Sequence, residues 1–168
     1  MFTKADIEKY FKAEKAESWI FMAIGIAGIV AAIVFFFLRR EFYTGAAIPF
    51  LLVGLLLASV GYTVYRKSDN DRVRNVYAFD MNPSELKDKE LPRMKTVMKN
   101  FLIYRWVEIF LFAAGAGLYI YFIRDFKNDF WRGFGLALAV MAILALAADF
   151  FAEKRGSIYT KGIESFVK

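Results

Sequence analysis

The sequence predicts an all-α integral membrane protein, a four-helix bundle of two antiparallel transmembrane hairpins with short amphipathic cytoplasmic helices. Three observations carry this expectation. Of 168 residues, 58% are hydrophobic and 24% charged, and the two kinds are segregated, with charges gathered at 1–17, 39–41, 66–99, 124–132 and 153–168. A soluble domain needs a largely polar surface all round and disperses its charges. Each of the four apolar blocks left between them is close to the ~20 residues that cross a hydrocarbon core. The blocks also fall into two pairs, joined by "RREFY" and "RDFKND", and connections so short demand antiparallel hairpins.

The first span covers residues 18–38, "SWIFMAIGIAGIVAAIVFFFL", and contains no charge. Its length, the large charged region before it and the "RRE" after it argue against a cleaved signal peptide. The second span covers 44–65; Pro49 either kinks it or marks its start. The third covers 101–123 and the fourth 131–152. The chain is thus one four-span domain, 1–168, with segments 1–17, 66–99 and 153–168 on one side. Those segments hold 17 of the 23 lysines and arginines, against five in the two turns. The bias of positive charge toward the inside places both termini and the central segment in the cytoplasm, and the chain in the inner (plasma) membrane. Trp19, Tyr62, Tyr65 and Tyr104 at one boundary, and Tyr43, Tyr119, Tyr121 and Trp131 at the other, form the two aromatic belts that this direction requires. The hairpins also resemble each other weakly, with Trp19 matching Trp106 and Gly45 matching Gly133, as parallel repeats would.

Charges inside a span are costly and demand a partner or a purpose. Span three carries Arg105 and Glu108, three residues apart and so on one helical face. Span four carries Asp149 near its cytoplasmic end. The expectation is an intramembrane cluster of Arg105, Glu108 and Asp149, which either locks span three to span four or forms a polar pathway. Small residues recur at spacing four: Gly28 and Ala32, Gly54 and Ala58, Ala113 and Gly117, Gly135 and Ala139. Such pairs let helices approach closely in lipid, within the bundle or at the face of a homo-oligomer.

Three cytoplasmic stretches look amphipathic. Near the start, Ile7, Tyr10 and Phe11 share a side, with Thr3 and Asp6 as a cap. In the centre, Asn82, Pro83 and Glu85 read as an N-cap, first turn and capping box, followed by a stripe of Leu91, Met94, Val97 and Met98. At the end, Tyr159, Ile163 and Phe166 repeat a helical spacing. These stripes would lie on the membrane, pack together as a cap, or receive a protein partner. The basic run "YRKSDNDRVR" suits anionic headgroups, although its acids dilute it.

No histidine or cysteine is present, which removes the usual general base, the thiolate nucleophile and Cys/His zinc sites. Neither a phosphate-binding glycine loop nor a nucleophile elbow occurs. "SDND" lacks the glycine and distal glutamate of a calcium loop. Asp149, Glu153 and Glu108 could approach a magnesium ion, but Arg105, Lys154 and Arg155 oppose it. The expectation is therefore a non-enzymatic protein without cofactor or metal, binding no nucleic acid, whose net charge of +6 reflects topology and lipid. Its function is read as protein–protein interaction, as an accessory, assembly or immunity-like subunit. The alternative is a small oligomeric transporter or channel that uses Arg105, Glu108 and Asp149.

Overall fold

The structure is a computed structural model and describes residues 2–168. Four long helices account for almost all of it: α1 (Lys4–Phe37), α2 (Glu41–Met81), α3 (Pro83–Phe122) and α4 (Asp129–Phe166), with no strand among the described residues. All four contain a stretch long and apolar enough to cross a membrane. Each also runs on, unbroken, into the charged segment at the end of the bundle that carries the termini. Apart from Pro49, nothing between residues 4 and 37 or 41 and 81 supplies a strong stop signal. Pro49 lies inside α2 with its side chain fully buried, so it does not mark the start of that helix.

Side-chain chemistry sets the ends. The Asp6 carboxylate accepts from the Thr3 backbone N–H at 2.8 Å and from its hydroxyl at 2.7 Å, closing the first turn of α1. After Leu38, Arg39 takes a left-handed conformation (φ 52°), the usual way to leave a helix, and α2 begins two residues later. Asn82 alone separates α2 from α3. Glu85 does not close a capping box with it but pairs with Lys89 at 2.6 Å. Pro92 has no N–H for the Asp88 carbonyl, and its ring crowds that group. The Leu91 N–H reaches back five residues to Leu86, and Leu86–Glu90 widens into a π-turn. The α3–α4 turn is held by Asp125, which accepts from the Lys127 N–H (3.1 Å) and the Asn128 side-chain amide (2.8 Å).

In space α2 and α4 are central, α1 flanks them with its main contact on α2, and α3 leans almost entirely on α4. Within the apolar half the helices meet through a small side-chain core of Leu57, Met141 and Ala145 and through close approach of their backbones. A Cβ on Gly25 would lie 2.6 Å from the Gly54 carbonyl oxygen, and one on Gly115 would lie 2.7 Å from that of Gly135. Both pairs are thus equivalent seams, one per hairpin. Between the hairpins the contact is reciprocal: a Cβ on Gly45 would fall onto the Phe130 carbonyl, and one on Gly133 onto the Phe42 carbonyl. The two Phe-x-x-Gly stretches therefore face each other across a local two-fold axis between parallel helices, which supports the weak repeat.

At the termini-bearing end the mode of packing changes. Phe2, Ile7, Tyr10, Phe11, Ala78, Leu86, Met94, Tyr159 and Ile163 bury their side chains in a common core drawn from all four helices. Large apolar side chains meet there as in a water-soluble domain.

Candidate functional site

The charges within the apolar stretches sit where α3 lies on α4. Glu108 and Asp149 face each other across the α3–α4 contact, and one Glu108 carboxylate oxygen is buried without a hydrogen-bond partner. Arg105 does not join them: its guanidinium pairs with Glu153, one turn further along α4. A long cationic side chain extends toward the polar end of its helix, and Glu153 is the carboxylate that lies that way. The predicted trio is thus a carboxyl pair with a separate ion pair above it. Asp149 and Glu153 occupy one stripe of α4 at spacing four, the signal from which Glu153 could have been chosen.

The line of charges continues into the cap. Arg155, two residues beyond Glu153, pairs with Glu17 of α1 and lies 5.6 Å from the Tyr10 ring centre. The Tyr10 and Tyr159 rings stack nearly parallel, 4.0 Å apart. The Tyr10 hydroxyl donates to Glu14 at 2.9 Å, and Ser68 of α2 donates to the other Glu14 oxygen at 2.8 Å. Below them Glu90 is only 1% exposed and accepts a two-pronged contact from Arg93, at 2.8 and 2.7 Å. Glu90 is the last residue of the π-turn. Burial, reinforced by the Glu14 charge, pushes the Tyr10 phenol well above its ordinary value of 10.0. Burial and the Glu90 charge do the same to Tyr159. Both rings are therefore neutral, which is how a stacked buried pair is stable.

Of the predicted interaction stripe, Met94, Tyr159 and Ile163 are core residues, and Leu91, Val97 and Phe166 pack against that core. Met98 lies against Gly156. The stripe is folded onto the chain itself. Glu17, Glu90 and Arg93 were missed because none lies in an apolar span, where a charge attracts notice; Tyr10 and Tyr159 were expected on separate apolar stripes, not stacked on each other.

Among the described residues no three metal-ligating side chains converge. Two open surface hollows lie away from the charge line. One, of about 310 Å³, is on the outer face of α2 (Tyr62, Thr63, Arg66, Lys67, Asn70). The other, of about 190 Å³, is beside Pro83, Ser84, Lys87, Phe166 and Val167. The arrangement ties the helices to one another. Comparison with protein-family models, curated proteins and solved structures finds no match for this chain.

Proposed function

We propose that this chain acts by protein–protein interaction within a membrane, as an accessory, assembly or immunity-like subunit, and that α3 is its docking helix. One observation carries this reading. Three of the four small-residue pairs are consumed inside the bundle: Gly28 and Ala32 are buried, Gly54 and Ala58 take Gly25, and Gly135 and Ala139 take Gly115. The fourth pair, Ala113 and Gly117, is exposed, and Gly117 has nothing within 4 Å of the place a Cβ would occupy. Gly117 lies about 200° around the helix from Gly115, on the side turned away from α4. Trp106, Phe110, Ile120 and Tyr121 share that face and are all exposed. A small-xxx-small pair lets another membrane helix approach closely.

The excess of lysine and arginine at the termini-bearing end supports an inner-membrane placement with that end in the cytoplasm. A polar pathway through Arg105, Glu108 and Asp149 has less support, because Arg105 is held by Glu153 and neither hollow reaches the cluster.

Gentle extraction from the native membrane followed by native mass spectrometry tests the reading. The expected result is a stoichiometric second protein that Gly117→Val releases without lowering the melting temperature. Full retention of the partner by that variant removes α3 as the docking helix. A pure homo-oligomer with no second protein moves the reading to transport.

A further inference from the structure

We propose that Tyr62, Arg66, Lys67 and Asn70 form a phosphate-recognition site on the outer face of α2, occupied by the headgroup of an anionic phospholipid. The inference rests on the membrane placement of the helices but not on the docking role of α3. These four residues and Thr63 line the larger hollow, and all five are exposed on one arc of the helix. The hollow lies where the apolar stretch of α2 gives way to its charged stretch, the level at which headgroups sit.

The chemistry of the lining is that of an anion site. A guanidinium, an ammonium, an amide N–H₂ and a phenol supply donors, and no carboxylate lines the hollow. The Thr63 hydroxyl is spent on the Ser59 carbonyl at 2.8 Å, so it closes the floor without competing. The nearby acids are engaged elsewhere: Asp69 with Lys15 and Arg72, and Asp71 with Arg74 at 3.0 Å. Arg66 and Lys67 have no carboxylate partner among the described residues. The acids that dilute the basic run in sequence therefore neutralise its later arginines and leave these two cations free.

Two further features favour a lipid over free phosphate. The same arc of α2 continues through Leu52, Leu55 and Leu56, all exposed, so an acyl chain has a surface to follow directly from the hollow. The register of the Phe42 and Phe130 joint also gives a comparison within the molecule. It places Phe150, Phe151, Lys154, Arg155 and Ile158 of α4 at the equivalent positions. There the polar floor is replaced by phenylalanine, and Arg155 is turned inward to Glu17. A general excess of positive charge would serve both helices alike, whereas only α2 has the donor set.

The test is native mass spectrometry of the full chain in detergent, with phosphatidylglycerol, phosphatidylcholine or inorganic phosphate added at equal concentration. Phosphatidylglycerol is expected to be retained on the order of ten-fold better than phosphatidylcholine. Arg66→Gln with Lys67→Gln should abolish that preference at an unchanged melting temperature, while Lys154→Gln and Gly117→Val keep it. Undiminished preference in the double variant, equal retention of phosphatidylcholine, or displacement of the lipid by inorganic phosphate would each overturn the proposal.

Discussion

The two ends of these helices are built by different rules. In the apolar half, the closest contacts are made by Gly25, Gly45, Gly54, Gly115, Gly133 and Gly135, the side-chain core is confined to Leu57, Met141 and Ala145, and many large side chains point outward: Ile33 is 51% exposed and Phe110 71%. In the cap the large side chains are inside and Ile163 is 0% exposed. Lipid offers no hydrophobic reward for burying isoleucine, so helices there gain from close backbone approach. Water does offer that reward, and the same four helices switch to a conventional core as soon as they leave the apolar half. A single continuous helix thus reports its two solvents in its packing.

The sharpest way to break this contrast is one substitution made in both halves. Ile163→Ala empties a fully buried site and should cost about 3 kcal/mol. Ile33→Ala, made in detergent or lipid, should cost less than about 1 kcal/mol, because its side chain leaves one apolar surrounding for another. Thermal melting of the two variants measures the difference, and equal losses would mean that the halves do not differ.

A smaller effect is expected at the joint between the hairpins. Gly133→Val puts a side chain onto the Phe42 carbonyl and should destabilise by about 2 kcal/mol, with Gly45→Val matching it across the local two-fold axis. The same melting assay applies. Unequal losses would show that the joint is not reciprocal.

The smallest effect concerns pH and belongs to the cap alone. Tyrosines of the unfolded chain release protons near 10.0, whereas Tyr10 and Tyr159 hold theirs to higher pH in the fold. Above pH 10 the unfolded state therefore binds fewer protons and stability falls as pH rises; below it these two groups change nothing. In a titration of the phenolate absorbance, two of the nine tyrosines should ionise only with the loss of the cap.

The spans and their pairing into hairpins were legible because a bilayer imposes length and excludes charge, and both constraints are written in linear order. The packing partner of each segment was not. The stripes around Ile7, Met94 and Ile163 were visible separately, but a stripe records only that a face is apolar, not which other face covers it. Ala113 and Gly117 look in sequence like Gly135 and Ala139; only the position of α4 tells the outward pair from the inward one. The partner of Arg105 turned on an axial offset of one helical turn, which the loop "RDFKND" does not disclose. The π-turn had a readable sign in Pro92, which falls ten residues beyond the capping signal at Asn82, inside the helix, where a proline removes a backbone hydrogen bond.

The joint between α2 and α4 looks the same from either side: Phe42 to Gly133, Phe130 to Gly45. Such a contact is the one that two separate copies of a single hairpin would make with each other. A doubling of one ancestral hairpin, linked end to end, would inherit this joint with no change of residue. Everything that now distinguishes the halves could then be acquired around it: the carboxyl pair on α3 and α4, the longer second turn, the basic hollow on α2.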